Sequence, residues 1–200
     1  MKRILHTIAD YLRECDKVLY GLAIAASLFG ALAVLSTTYY VMGGAKQLIM
    51  HLLGLLIGIG GAVIITLVDY RKIMKFWFII LVPLVALVLL TFVVGYAPAG
   101  TDDKAWLLLP GGFSLQPAEF LKIGFLISFT WHLNKVSDNI NKPLNLILLC
   151  IHGAAPVLLI HEQGDDGTAL VFAVMFVAMM FAAGVKARYF IIAICGVAVA

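Results

Sequence analysis

Two clusters in this chain combine residue types that can do chemistry. The first is Gln116-Pro-Ala-Glu119-Phe-Leu-Lys122, a carboxylate and an ammonium three positions apart at the head of an apolar run. That spacing places both side chains on one helix face, within reach of each other. The helix dipole favours an anion in the first turn, and Pro117 suits the first helical position, where its missing N–H would have no partner anyway. The second cluster is Glu162-Gln-Gly-Asp-Asp-Gly-Thr168, three carboxylates and an amide between two apolar runs. Spacing leaves two readings open for each. Glu119 and Lys122 either neutralise each other so that the helix enters a bilayer, or line a polar cavity, since a charge at mid-bilayer costs about 2.5–3.5 kcal/mol. In the second cluster Asp166 or Thr168 caps the following helix, or the surplus acid faces a substrate or a cation.

The remaining candidates are weaker. Lys104 and Trp106 lie in a connection where Pro98, Gly100, Pro110, Gly111 and Gly112 set turns rather than a helix. Trp106 reads first as an interfacial anchor, as do Tyr39, Tyr40, Trp77, Tyr96 and Trp131 near the ends of apolar runs. His51, His132, His152 and His161 show no metal-ligand spacing and are expected to be hydrogen-bonded polar residues rather than ligands. Cys15, Cys150 and Cys195 have neither disulfide nor zinc spacing. No Ser-His-Asp set, phosphate-binding glycine loop or dinucleotide fingerprint occurs, so no metal ligand and no catalytic residue is assigned.

The elements that must carry these clusters follow from composition. Of 200 residues 63% are hydrophobic and 12% charged, against about 45–50% and about 25% in soluble domains. So few charges cannot cover a water-facing surface, and the mean hydropathy of +1.05 excludes disorder as well. The net charge of +3 comes from basic residues standing singly or in twos, which gives no nucleic-acid tract. A span needs about 20 apolar residues. Six such runs are predicted: Val18–Ser36, Leu48–Val68, Phe76–Tyr96, Pro117–Leu133, Leu144–His161 and Thr168–Val185. A seventh opens at Tyr189 and is still apolar at Ala200. The expected fold is all-α: a polytopic transmembrane helix bundle of six full spans plus a truncated seventh, a single integral-membrane domain over 1–200. It is read as the front part of a longer chain. In the second run Gly54 and Gly58, with Gly60 and Gly61, predict close helix packing.

Basic residues set the orientation. With a cytoplasmic N-terminus the inside segments hold Lys2, Arg3, Arg13, Lys17, Arg71, Lys72, Lys75, Lys135, Lys142, Lys186 and Arg188, and the outside ones hold Lys46 and Lys104. Lys122 lies within a span. The loop 97–116 and the polar motif 162–168 then both face outward.

Lys104-Ala-Trp106 followed by Gly112-Phe-Ser-Leu-Gln-Pro-Ala-Glu-Phe-Leu-Lys122 resembles the loop and helix start of the SEDS family, the RodA/FtsW/SpoVE-type proteins. Gln163-Gly-Asp-Asp-Gly-Thr168 is similar to that family's Gln-Pro-Asp-x-Gly-Thr, and Asp16 and Asp69-Tyr70 also sit where the family often has them. Ala118 replaces the motif Ser, Gly164 the Pro, and Asp166 a common hydrophobe; Lys104 stands alone where two basic residues are usual. The resemblance implies a peptidoglycan glycosyltransferase in the bacterial cytoplasmic membrane. Such enzymes polymerise lipid II into a nascent glycan strand with a class B penicillin-binding protein as transpeptidase partner, in elongation, division or sporulation. It implies substrate-binding roles for Lys104, Trp106, Gln116, Glu119, Lys122, Gln163, Asp165 and Thr168, with Lys104 and Lys122 on anionic pyrophosphate or carboxylates. A divalent cation at Asp165 or Asp166 is a further expectation. The family's catalytic Asp is expected beyond residue 200, so the 200 residues alone are expected to be inactive. A lipid-linked precursor flippase and a non-catalytic scaffold for the transpeptidase are the alternatives.

Overall fold

The computed structural model describes residues 16–38, 44–98, 100–101, 103–110 and 113–192. Cys15, Cys195, Tyr39, Tyr40, Gly111, Gly112, most of the seventh apolar run and the basic residues before Asp16 lie outside the described residues. The helices are α1 (Lys17–Thr38), α2 (Gly44–Leu67), α3 (Tyr70–Lys75), α4 (Trp77–Val94), α5 (Pro117–Val136), α6 (Pro143–His161) and α7 (Asp166–Ala182), with a 3-10 turn at Ser137–Asn139. Residues 187–192 are helical again. Each of the six predicted spans is a helix. Four of them, over Lys17–Thr37, Leu48–Ile65, Trp77–Val94 and Pro143–His161, are long and apolar enough to cross a membrane. The apolar α7 is shorter, at 17 residues, and α5 carries Glu119, Lys122 and Lys135. Large apolar side chains face outward, among them Phe29 (74% exposed), Ile57 (74%) and Val93 (82%). An all-α membrane bundle presents such a surface to lipid.

The chain divides into two compact units, Met1–Tyr70 and Arg71–Ala200. In the first, Asp16 starts α1: its carboxylate accepts from the Val18 N–H (2.9 Å) and the Leu19 N–H (3.0 Å). α1 and α2 are tied where the His51 Nε2 meets the Ser27 carbonyl at 3.0 Å, and the ring lies against Gly30. Among the described residues close packing at Gly54 and Gly58 is not found. A Cβ on either meets nothing within 4 Å, and both line an open groove of about 450 Å³ between the two helices. The i, i+4 glycine spacing marks a flat helix face, and that face borders space here.

The second unit has an aromatic centre. Phe125 stacks on Phe129 at 5.2 Å between ring centres, Phe172 meets Phe125 edge-on at 5.7 Å, and Phe176 meets Phe129 at 5.5 Å. Glycines permit the close approaches. A Cβ on Gly124 would lie 2.9 Å from Leu84 of α4, and one on Gly153 of α6 would lie 2.1 Å from the Phe176 ring of α7. Ser128, His152 and His132 form a hydrogen-bonded string between α5 and α6: Ser128 Oγ to His152 Nε2 at 3.2 Å, then His152 Nδ1 to His132 Nδ1 at 3.1 Å.

At the end of the unit holding the α5–α6 turn, Trp77 lies 5.0 Å from Trp131, and Lys135 sits over the Trp131 ring. Asn141 ties that turn to the segment after α7. It donates to the Gly184 carbonyl (3.3 Å), accepts from the Lys186 N–H (2.9 Å), and its own carbonyl accepts from the Tyr189 hydroxyl (3.2 Å). The 97–116 connection does more than turn: Leu107–Leu109 (β1) pairs antiparallel with Phe113–Leu115 (β2) around Pro110. Along β1 Leu107 is buried while Leu108 and Leu109 are exposed, so the short hairpin is anchored at its first residue.

Gly153→Ala is expected to cost about 1–3 kcal/mol because the Phe176 ring must move. Gly58→Ala is expected to leave stability unchanged or raise it by up to about 1 kcal/mol. Thermal melts of the two variants in detergent check the contrast.

Candidate functional site

The two motifs found in the sequence meet at the end of the second unit where α4 and α6 finish and α5 and α7 begin. Pro117 opens α5 at its first position, with Glu119 in the first turn. One turn on, Lys122 Nζ donates to Glu119 Oε1 at 2.6 Å. The pair is formed, and it leaves Glu119 about half exposed while Lys122 is largely covered. Burial of the lysine stem with its charge paired is how a helix tolerates an ammonium near the bilayer.

The second motif splits its tasks. Asp165, rather than Asp166 or Thr168, caps α7: its Oδ1 accepts from the Thr168 N–H at 2.9 Å. The positive φ of Gly164 (86°) makes the turn that puts Asp165 in place. The other oxygen of Asp165 accepts from Gln116 Nε2, the residue immediately before α5. Asp166 points elsewhere, to His161 Nδ1 at 2.5 Å, and both are exposed. Both Asp165 oxygens and one Asp166 oxygen are thus engaged with protein groups. Among the described residues no three His, Cys, Asp or Glu side chains converge on one point.

Gln163 turns inward. It is 6% exposed, and its Nε2 donates to Thr91 Oγ1 on α4, with the Val88 carbonyl 3.5 Å away. Thr91 in turn donates to the Val88 carbonyl at 2.7 Å. The Gln163 Oε1 has no partner among the described residues. Gln163 is therefore a tie between the α6–α7 turn and the end of α4.

The Lys104–Trp106 segment lies across the end of α4 because Gly95 permits it. A Cβ there would fall 2.2 Å from the Thr91 carbonyl and 2.5 Å from the Lys104 carbonyl. Just beyond, the Tyr96 N–H donates to the Trp106 carbonyl at 2.9 Å. Ala105 is buried, Lys104 is exposed and Trp106 is half-buried. A Cβ on Gly164 would lie 3.7 Å from the Asp103 backbone, so the loop before Lys104 passes beside the second motif.

Of the eight candidates, Gln116, Asp165 and Thr168 are joined in one chain of hydrogen bonds, and Glu119 and Lys122 form their own pair one turn along α5. Gln163 serves packing, while Lys104 and Trp106 are placed by their backbone. Sequence reasoning missed Thr91, Gly95 and the His161–Asp166 pair. Thr91 left a signal, as the single hydroxyl in the apolar helix Trp77–Val94. The Asp165 link tests directly. Asp165→Ala removes cap and link together and is expected to cost roughly 2–4 kcal/mol. Asp165→Asn keeps a capping oxygen and, with the Gln116 amide rotated, the link, at less than half that cost; chemical denaturation in detergent measures both.

Comparison with known proteins gives this geometry its setting. A family model for the cell cycle proteins FtsW, RodA and SpoVE matches residues 15–200. The "Probable peptidoglycan glycosyltransferase FtsW" of Trichlorobacter lovleyi is 30% identical over 186 residues, 88% of this chain and 47% of its own. The "Peptidoglycan glycosyltransferase MrdB" of Helicobacter pylori is 29% identical over 129 residues, 62% of this chain and 33% of its own. The chain spans about half the length of the curated FtsW relatives it matches. Among solved structures, a chain from a peptidoglycan synthase complex that coordinates polymerization and crosslinking superposes with a TM-score of 0.75 at 22% identity, over 92% of this chain and 52% of that one. A point mutant of the Thermus thermophilus rod shape determining protein RodA gives 0.69 at 21%, over 93% and 59%. Likeness at this identity speaks for the fold.

Proposed function

This chain belongs to the cell cycle protein family of FtsW, RodA and SpoVE, and from that premise we propose that it serves peptidoglycan glycan-strand polymerisation from lipid II at the outer face of the bacterial cytoplasmic membrane. The observation that carries the reading is the Gln116–Asp165 hydrogen bond, which holds the starts of α5 and α7 together near the loop that leads into Lys104. Polymerisation moves an anomeric carbon from a departing lipid pyrophosphate to an acceptor hydroxyl. It needs a base for the hydroxyl proton and positive groups for the pyrophosphate. On this reading Lys122, oriented by Glu119, and Lys104 on its loop receive the anionic leaving group. Gln116, Asp165 and Thr168 fix the spacing of the two helix starts, and Trp106 offers a flat apolar face to a sugar or lipid. Gln163 positions the α6–α7 turn from inside.

Six spans with a cytoplasmic N-terminus complete the proposal. The Lys/Arg distribution supports it, with Lys104 on one side and Lys135, Lys142, Lys186 and Arg188 on the other. A class B penicillin-binding protein is the proposed partner, supported by the likeness to a chain of a complex that couples polymerization to crosslinking.

In a lipid II polymerisation assay on the full-length protein, Lys122→Ala is expected to lower turnover about 100-fold at unchanged membrane levels; wild-type turnover would reject the site. In intact cells Lys104→Cys is expected to react with an impermeant maleimide, and Lys142→Cys only after permeabilisation. The reverse labelling pattern would refute the orientation.

A further inference from the structure

The surface of α6 and α7 carries a second feature, at the opposite end of the unit from the proposed polymerisation site. An apolar groove of about 550 Å³ runs between α6, α7 and the helical segment 187–192, lined among others by Cys150, Ala154, Phe176, Met180, Tyr189 and Phe190. From Leu146 to Ala154 it follows α6 over nine residues, a rise of about 12 Å at 1.5 Å per step. One end lies in the middle of α6. The other opens where Asn141 ties the α5–α6 turn to the residues after α7.

That mouth is basic. Lys142 follows Asn141 directly, Lys186 donates its backbone N–H to the Asn141 side chain, and Arg188 rests on Tyr189, whose hydroxyl bonds the Asn141 carbonyl. The Arg188 guanidinium donates to the Tyr189 hydroxyl at 2.9 Å and lies 4.8 Å from its ring centre. Tyr189 therefore lines the groove with its ring and holds a cation at the mouth with its hydroxyl. Across the segments 135–143 and 184–192 the charges are Lys135, Lys142, Lys186 and Arg188 against the single acid Asp138. Lys135 is turned onto Trp131. Among the described residues Lys142, Lys186 and Arg188 have no acidic partner.

We infer that this groove is a binding site for an anionic phospholipid: one acyl chain lies along α6 and α7, and the phosphate meets Lys142, Lys186 and Arg188. The division of labour follows from the solvent. An acyl chain leaving bulk lipid for an apolar groove exchanges one hydrocarbon environment for another, so the groove selects by shape alone. Selectivity for lipid class then rests on charge at the mouth, where each basic residue near the surface is worth about fivefold in affinity for an anionic headgroup. On the proposed orientation the site faces the cytoplasmic leaflet, where its cations belong.

The test is native mass spectrometry of the full-length protein titrated with phosphatidylglycerol and with phosphatidylcholine of the same acyl chains. The wild type is expected to hold phosphatidylglycerol in preference. The Lys186→Ala/Arg188→Ala double variant is expected to lose that preference about 25-fold. Ala154→Trp, which fills the far end of the groove, is expected to reduce retention of both lipids alike. An unchanged preference in the double variant would overturn the inference, as would unchanged retention in Ala154→Trp. So would efficient bis-maleimide crosslinking of two copies through Cys150 in lipid-saturated protein, which would make a second copy the occupant.

Discussion

Hydrocarbon offers no hydrogen bonds, so every polar side chain within a bilayer must find its partner inside the protein. Some hydroxyls meet this constraint within their own helix, as Ser27 and Thr130 do on the carbonyls four residues back, and other polar groups become ties between elements. Gln163 joins the α6–α7 turn to Thr91 of α4. Ser128, His152 and His132 join α5 to α6 through the middle of the aromatic cluster. His51 joins α2 to α1. The apolar side chains around them face lipid as readily as each other, so packing without these ties leaves rotation and register loosely specified. The polar few set the geometry, and the apolar many fill it.

Glycine supplies the complementary half of the arrangement. Where polar ties draw elements together, the backbones must be able to approach. Gly153 yields to the Phe176 ring, Gly124 to Leu84, and Gly95 to the Lys104 carbonyl that crosses the end of α4. The last of these lays the Lys104 backbone across the end of α4, with Asp103 just before it beside Gly164. A methyl group at position 95 would push that loop off the end of α4.

Much of this was legible in the sequence. All six apolar runs became helices, with ends within a few residues, because runs of about 20 apolar residues have little alternative in a bilayer. The Pro117 start and the Glu119–Lys122 pair followed from local spacing, which short-range geometry decides. Asp165 took the cap in place of Asp166 because Gly164 adopts a positive φ and shifts the turn by one residue. Glycine spacing predicted close packing at Gly54 and Gly58, while the tight contacts formed at Gly153 and Gly95. A glycine's neighbours come from distant segments, and periodicity within one helix does not report them. Thr91 was overlooked for the same reason, since its partner lies 72 residues further along the chain.

The Asp165 carboxylate has a consequence for how such a chain can change. One of its oxygens begins its own helix and the other holds the residue that precedes α5. Two helix starts that are far apart in sequence therefore share a single codon. A substitution at Gln116 breaks the link but leaves the α7 cap, whereas losing both oxygens at position 165 removes cap and link at once. The tolerated alphabet there narrows to side chains with two outward-facing polar atoms on a short stem, whatever the rest of the bundle has become.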